Sequence, residues 1–465
     1  MKLARLVQGM LISAAFFLFS ILLNLPQDIQ AALVMLGACI GCFVQSKSYG
    51  FLFSPINQLL VFWLMCGVLN PALSYFVRDT YRLVVLNTNS LLLASVLCAV
   101  GMHVFTLGYS SAESFVKSKS QAMVSKPIEK KFPITLEISL LIVWLLSTVY
   151  LVSKLGFNGI LRYRSPETIS TLVSVEKYPI YASYLLIYPA VHRLLYSGSN
   201  RRNNLIAYIY LAAASLLPIL SGGRLFFIPI IIAVLLTRTS LRLTYPEQFG
   251  SLKSRYIAGS FLIVSAVVFM RSFRQSFDER FLSLYGNSTI DNLIITFAGP
   301  DTKMLSNFSR LLDVSEQFKE NNSDLFYWRL LSLPIPRSWW ESKPYSFDFD
   351  ANIFIGNYGK GYGSSFTFFA EAYFSGGILI LILVSLIFGI ACRIVYSSYL
   401  NPSSISSLAF QIVVISQLIV FYRGSLTADF PRIVLAVLPF VVMKVLQSGQ
   451  IQYAKVEKQK RVEFQ

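Results

Sequence analysis

Arginines and one glutamate at the edges of apolar runs are the residues of this sequence best suited to chemistry. Arg224 directly follows a Ser-Gly-Gly sequence at 221–223, Arg423 ends an apolar run, and Glu371 lies near the start of the apolar run at 366–392. Guanidinium groups bind phosphate oxygens and stabilise the charge that develops on a leaving pyrophosphate. A carboxylate can accept the proton of an attacking hydroxyl. Together these residue types indicate group transfer from a pyrophosphate donor.

Further arginines and several aromatic side chains extend this candidate site. Arg337 completes the predicted catalytic set with Glu371 and Arg224. Flat aromatic faces suit sugar rings, and arginines suit phosphate. The alternative for the aromatic residues is a tryptophan and tyrosine belt at the membrane surface. The predicted pyrophosphate- and glycan-binding residues are Arg162, Arg164, Arg274, Arg423, Trp339, Trp340 and Tyr373.

Glu371 has a second interpretation, in which it holds an arginine in a structural ion pair, and the sequence leaves both roles open. Asp348 and Asp350 form an Asp-x-Asp pair, a pattern that can bind a divalent metal but is common by chance. Gly359-Lys360 lacks the serine or threonine that follows the lysine of a phosphate-binding loop. We therefore predict neither a metal nor a cofactor.

The elements that must position these residues are membrane helices. A composition of 55% hydrophobic and 14% charged residues, with a mean hydropathy of +0.59, excludes an ordinary soluble enzyme. Helices satisfy their own backbone hydrogen bonds in lipid. We predict an all-α polytopic membrane protein with about twelve transmembrane helices. The predicted spans are 6–25, 29–45, 56–77, 83–107, 134–153, 178–192, 205–221, 225–237, 256–272, 366–392, 405–422 and 430–447.

The placement of charge predicts the orientation. Nearly all of the net charge of +17 lies on segments that are inside when the N-terminus is placed in the cytoplasm. This is the positive-inside bias, so the charge indicates topology and not a nucleic-acid partner. Both termini are then cytoplasmic. The predicted organisation is nine helices with short loops in 1–271, an outer cap in 272–365, three helices in 366–447 and a cytoplasmic tail in 448–465.

Four local patterns, with one long outer loop late in a chain of many spans, resemble the bacterial oligosaccharide repeat-unit polymerases of the O-antigen type. The patterns are LSGGR at 220–224, LPIPRSWWESKP at 333–344, GSSFTFFAEAYFSGG at 363–377 and YRG at 422–424. The resemblance implies an enzyme that moves a growing glycan from its polyprenyl pyrophosphate onto the next lipid-linked repeat unit. It would act on the outer face of the bacterial inner membrane, with a flippase and a chain-length regulator as partners, in the synthesis of O-antigen, capsule or exopolysaccharide.

Other function classes fit part of the pattern. An O-antigen ligase-type transferase also has a late long loop, but such ligases typically use a histidine there, and this loop has none. A lipid-linked oligosaccharide flippase also has about twelve spans, but transporters usually show internal repeats, and none is visible here. Arg224 precedes a short apolar run and is predicted to lie at or below the outer headgroup level of the membrane. A non-catalytic membrane assembly protein would not need an arginine at that depth.

Overall fold

The chain is helical in almost all of the part that the structure, a computed structural model, describes. The described residues are 2–46, 54–81, 90–112, 132–161, 181–197, 201–220, 224–244, 302–321, 326–332, 335, 339–340, 342–355 and 365–463, and they contain no strand. A π-helical turn at Leu64–Leu69 joins α3 to α4, and a 3-10 helix at Ala182–Leu186 precedes α7. The helices are α1 (Lys2–Leu22), α2 (Gln27–Ser46), α3 (Pro55–Trp63), α4 (Asn70–Tyr81), α5 (Leu91–Ser111), α6 (Ile134–Leu161), α7 (Ile187–Ser197), α8 (Arg201–Leu220), α9 (Arg224–Thr244), α10 (Met304–Asp313), α11 (Ser315–Asn321), α12 (Phe326–Ser332), α13 (Phe347–Phe354), α14 (Phe368–Leu400), α15 (Ile405–Arg423) and α16 (Leu426–Glu463).

Eight helical stretches among the described residues are long and apolar enough to cross a membrane, which confirms an all-α, membrane-embedded protein. Three other predicted spans, at 178–192, 205–221 and 225–237, coincide in part with described helices, and the last of them with the shorter apolar helix Phe227–Leu241. The predicted span at 256–272 lies outside the described residues. The eight candidate spans are Ala4–Leu22, Gln27–Ser46, Pro55–Phe76, Leu91–Ser111, Ile134–Gly156, Phe368–Leu400, Ile405–Arg423 and Leu426–Ser448.

Close contacts at glycines hold α14 against α5. A Cβ atom added to Gly108 would lie 2.3 Å from the carbonyl oxygen of Leu386, and one added to Gly389 would lie 2.1 Å from the carbonyl oxygen of Phe105. Only glycine lets two backbones approach this closely, a common device between membrane helices. These contacts fix the helix that carries Glu371.

α1 and α2 pack with α5 around a buried histidine. His103 Nε2 lies 2.7 Å from Ser13 Oγ of α1, and its Nδ1 lies 2.8 Å from Gln45 Nε2 of α2. A Cβ atom on Gly9 would meet the carbonyl oxygen of Gly41 at 2.6 Å, so α1 and α2 are also closely apposed. Since polar groups in lipid need internal partners, this network ties the three helices together.

α14 reverses direction near its start. Gly376 and Gly377 have non-helical backbone angles, and the φ of +67° at Gly377 lies in the region that favours glycine. The ring centroids of Phe368 and Phe388 are 5.1 Å apart, whereas a continuous helix would separate these residues by about 30 Å. The predicted continuous span at 366–392 is therefore corrected. Residues 368–375 form a short arm that doubles back beside the long arm, 378–400.

The short helices α10 to α13 lie in the segment predicted to be the outer cap, are called the cap below, and pack around aromatic side chains. The ring of Phe318 lies 5.2 Å from that of Phe354, 5.3 Å from that of Phe374 and 5.8 Å from that of Phe347, all edge to face. Such pairs stabilise beyond the area that they bury. Because Phe374 belongs to the short arm of α14, these contacts hold the cap on the segment that carries Glu371.

Candidate functional site

The carboxylate of Glu371 binds the N-terminus of the last membrane helix. Its side chain is 1% exposed, and its two oxygens accept hydrogen bonds from the backbone N–H groups of Leu426 and Thr427 and from the Thr427 hydroxyl. The first N–H groups of a helix have no partner within the helix and carry partial positive charge, so they stabilise a carboxylate. Glu371 makes no ion pair with any described residue.

Thr427 connects this carboxylate to the cap. The N–H of Phe347, the first residue of α13, donates to Thr427 Oγ1 at 3.1 Å, while the same hydroxyl donates to Glu371 Oε1. Ser425 caps α16, because its Oγ accepts the N–H of Ala428 at 3.2 Å. The cap, the short arm of α14 and the start of α16 therefore meet at one hydroxyl.

Arg423 lies at the end of α15, immediately before this junction, and its side chain is buried. Gly424 follows it, and a Cβ atom there would lie 1.7 Å from Asp429 Oδ2, so only glycine leaves room for that carboxylate. Asp429 in turn pairs with Arg432 at 2.8 Å. The Tyr-Arg-Gly sequence thus places Arg423 a few residues before Leu426, whose N–H binds the Glu371 carboxylate. Asp429 packs over the turn at Gly424.

Two further acidic residues come from the cap. Asp350 pairs with Arg329 of α12 at 2.8 Å, which joins α13 to α12. Asp348 Oδ1 accepts the N–H of Phe366 at 3.4 Å. Burial, and then the nearby carboxylates of Asp429 and Glu371, raise the pKa of Asp348 well above its ordinary value. Among the described residues, α13 therefore brings Asp348 close to the carboxylates of Asp429 and Glu371.

Arg224, predicted to be catalytic, begins α9, and its side chain is outside the described set. α9 packs along α15, and its Ser240 donates to the Tyr399 hydroxyl at 3.0 Å, close to where α15 begins. Because α9 starts at the opposite end from Ser240, the backbone of Arg224 lies toward the same end of the bundle as Arg423. The structure thus brings the start of α9 and the end of α15 to one side of the molecule.

The predicted aromatic residues occupy two environments. Tyr373 is half-buried in the cap's aromatic interior, 6.0 Å from the ring of Phe308 and beneath the ammonium of Lys319, which lies 5.6 Å from its ring centroid. Trp339 and Trp340 are on the cap surface, where Trp339 is 82% exposed. Tyr373 therefore packs inside the cap, whereas the two indoles lie on its surface.

The remaining predicted arginines lie outside the described residues: Arg162, Arg164, Arg274 and Arg337. In the described part, no group of three or more His, Cys, Asp or Glu side chains is arranged to hold a metal ion.

Sequence reasoning missed several residues of the site. Thr427 carries no signal in the sequence, because a threonine in a helical first turn is common. Arg329 also gave no signal. Asp429 stands six residues after Arg423, in the FYRGSLTADFPR segment, so its proximity could have been suspected. The spacing of Asp348 to Asp350 can indicate a metal-binding pair, but the neighbouring carboxylates of Asp348 are Glu371 of the short arm and Asp429 of α16.

A second buried carboxylate, in another part of the bundle, is neutralised by a cation. Glu137 of α6 is 3% exposed. Its carboxylate accepts hydrogen bonds from Nε of Arg193 of α7, at 2.7 Å, and from Nη2 of the same arginine. The Tyr210 hydroxyl of α8 donates to the same carboxylate at 3.4 Å. A two-pronged arginine–carboxylate pair of this kind holds three helices together.

Comparisons with family models, with curated proteins and with solved structures find no match to this chain.

Proposed function

We propose that this protein is a membrane glycosyltransferase that polymerises lipid-linked oligosaccharide repeat units. It would transfer the growing glycan from its polyprenyl pyrophosphate to a hydroxyl of the next lipid-linked unit. The observation that carries the proposal is the buried carboxylate of Glu371, which is held by uncharged donors and contacts the cap through Thr427. The N–H groups that hold it follow the buried Arg423 by a few residues in the chain. Ionisable groups at such depth are functional candidates by default.

The reaction needs no cofactor. An acceptor hydroxyl oxygen attacks the anomeric carbon of the donor sugar, the bond from that carbon to the phosphate oxygen breaks, and the pyrophosphate leaves with the electron pair. Arg423, with Arg224 and Arg337, would bind the pyrophosphate and stabilise its developing charge. The hydroxyl proton passes to a phosphate oxygen of the leaving pyrophosphate.

For Glu371 we favour a positioning role over that of the base. Both of its oxygens already accept hydrogen bonds, and its 1% exposure leaves little space for a sugar hydroxyl. By holding the first N–H groups of α16, it fixes the connection that carries Arg423. It would therefore act through the arginine.

The proposal places the protein in the bacterial inner membrane, with both termini cytoplasmic and the cap on the outer face. A flippase would supply the lipid-linked units, and a chain-length regulator would set when polymerisation stops. The sequence resemblance and the positive-inside charge distribution support this placement.

Arg423→Ala tests the pyrophosphate assignment. Its loss should abolish long glycans while the protein remains in the membrane, and Arg423→Lys should recover little, because an ammonium lacks the two-pronged geometry. Arg202→Ala, an exposed arginine of α8, is the matched control and should keep full-length polymer. The measurement is the glycan ladder made by each variant, with membrane-fraction protein as the reference. A normal ladder from Arg423→Ala would remove Arg423 from the site.

A deletion strain separates this proposal from its rivals. A lost polymerase should leave single repeat units attached to the surface anchor. A lost flippase or ligase should leave no surface repeat at all, and that result would refute polymerase function.

A further inference from the structure

The cap helix α12 buries polar side chains and exposes apolar ones. On one face Arg329 and Ser332 are buried, 5% and 2% exposed, while on the other face Trp328 and Leu331 are 57% and 64% exposed. A helix on a water-soluble surface buries its apolar face and exposes its polar one. The arrangement of α12 is instead that of a helix whose outer side does not face water.

The apolar face continues onto the turn that follows α12. Ile335, Trp339 and Trp340 are all exposed there. Lys343 holds two of these residues, because its Nζ donates to the Ile335 carbonyl at 2.7 Å and its N–H donates to the Trp340 carbonyl at 3.1 Å. We call the exposed residues Trp328, Leu331, Ile335, Trp339 and Trp340 the cap's apolar surface.

The position of α12 identifies what covers this surface. α12 packs against α14 and α16, two of the candidate spans. Both expose large apolar side chains, among them Leu379 of α14 and Phe430 of α16, which in a membrane protein face lipid. The ion pair from Arg329 to Asp350 holds α12 to α13, whose first N–H binds Thr427 in the first turn of α16. α12 therefore lies beside the start of that span, at the level where hydrocarbon meets headgroups.

We propose that the cap's apolar surface is immersed in the lipid leaflet, so that α12 and its following turn lie in the membrane interface. Indole rings favour this depth, with the ring in the acyl region and the N–H toward polar groups. In keeping with this, Trp340 Nε1 donates to Ser342 Oγ at 2.9 Å. The proposal is independent of the proposed catalytic function, and it assigns Trp339 and Trp340 to lipid and not to sugar.

Lipid fits better than either other occupant. A glycan-binding surface combines aromatic faces with polar side chains that bind the sugar hydroxyls. The five described side chains here are instead all uncharged hydrocarbons or indoles, and the Trp340 N–H is already bonded to Ser342. A second copy of this chain would not require α12 to lie beside membrane spans, yet α12 packs against both α14 and α16.

Fluorophore depth measurements test the proposal in the full-length protein. Leu331→Cys is labelled with an environment-sensitive dye and reconstituted, at low protein density, in phosphatidylcholine–phosphatidylglycerol vesicles that contain acyl-brominated lipid. The five native cysteines are buried, and the unsubstituted protein gives the background. Asp313→Cys, at an exposed position of α10, is the matched control. Trp339→Cys is a second reporter in case the first variant incorporates poorly.

We expect brominated lipid to quench the label at residue 331 at least about twofold more than the label at 313, and aqueous iodide to show the reverse preference. Equal quenching at the two positions would overturn the proposal. So would protection from iodide without quenching by brominated lipid, since protein would then cover the surface. Relief of the lipid quenching by added soluble oligosaccharide would reassign the surface to sugar.

Discussion

Glu137 and Glu371 are both almost fully buried and both lie in the first turn of a membrane helix, but different groups neutralise them. Glu137 is paired with Arg193 through two hydrogen bonds and also accepts from Tyr210. Glu371 accepts only from two backbone N–H groups and one hydroxyl. The first carboxylate is matched to a cation, and the second to the end of a helix.

In the proposed function, this difference separates a carboxylate that only holds helices together from one that also positions Arg423. An ion pair such as that of Glu137 satisfies both charges locally and leaves neither available. A carboxylate held by a helix end instead orders the first turn of that helix and the connection before it. The comparison therefore predicts that disturbing Glu137 affects mainly folding, whereas disturbing Glu371 affects mainly activity.

Arg193→Ala should have the largest effect on stability. It leaves the Glu137 carboxylate buried without its cation, which costs about 3–5 kcal/mol of unfolding free energy. Unfolding by denaturing detergent, from native micelles, is the measurement. The control is Arg202→Ala on the exposed side of α8, where the change should stay within about 0.5 kcal/mol. Equal stabilities for the two variants would show that Glu137 is neutralised in another way.

Glu371→Gln should have a smaller effect on stability and a larger one on glycan length. The amide keeps one acceptor oxygen but loses the charge and the second oxygen, a cost of about 2 kcal/mol. We expect the polymer ladder to collapse to short chains in protein that still unfolds cooperatively. If Glu371→Gln made long chains, the carboxylate would be a structural cap alone, and its contrast with Glu137 would disappear.

Asp348→Asn should change the pH dependence of stability. The pKa of an unfolded aspartate is about 3.9, and burial with the neighbouring carboxylates raises the pKa of Asp348 in the folded protein. The folded state therefore holds this proton more tightly. Its stabilisation is complete below about pH 4 and is lost as the pH rises through the folded pKa, by at most about 1.4 kcal/mol per pH unit.

Asp348→Asn removes that proton, so its unfolding free energy should fall less steeply with rising pH than that of the unsubstituted protein. Detergent unfolding at a series of pH values from about 4 to neutral measures the slope. Identical slopes would mean that Asp348 does not share its surroundings with Glu371, and that acidic crowding does not distinguish this site from that of Glu137.

Hydropathy was sufficient to predict the helical membrane class, because apolar runs of span length must be helices in lipid. It also located the start of the helix that carries Glu371. It could not reveal the reversal at Gly376 and Gly377, since an apolar run reads the same whether it is straight or folded back. The available sequence signal for the reversal is the glycine pair itself, because glycine readily adopts non-helical backbone angles.

The site shows the same limit. Glu371 and Arg423 stood out because charges are rare beside apolar runs. Thr427 and Arg329 have no sequence signal, and the neighbours of Asp348 are defined only by the packing of the short arm, the cap and α16. Their roles depend on contacts between segments distant in the chain, which residue types alone do not specify.

The hydroxyl of Tyr422 donates to the carbonyl of Pro55 at 2.9 Å across 367 residues of chain. At the usual rate of synthesis, roughly 20–70 s pass between the appearance of these two residues at the ribosome. The early helices must therefore wait in the bilayer, or with an insertion chaperone, before their partner arrives. A chain interrupted before α15 would leave the Pro55 carbonyl of α3 without its Tyr422 partner. Degradation of incomplete copies should therefore begin from early helices that have not packed against α15.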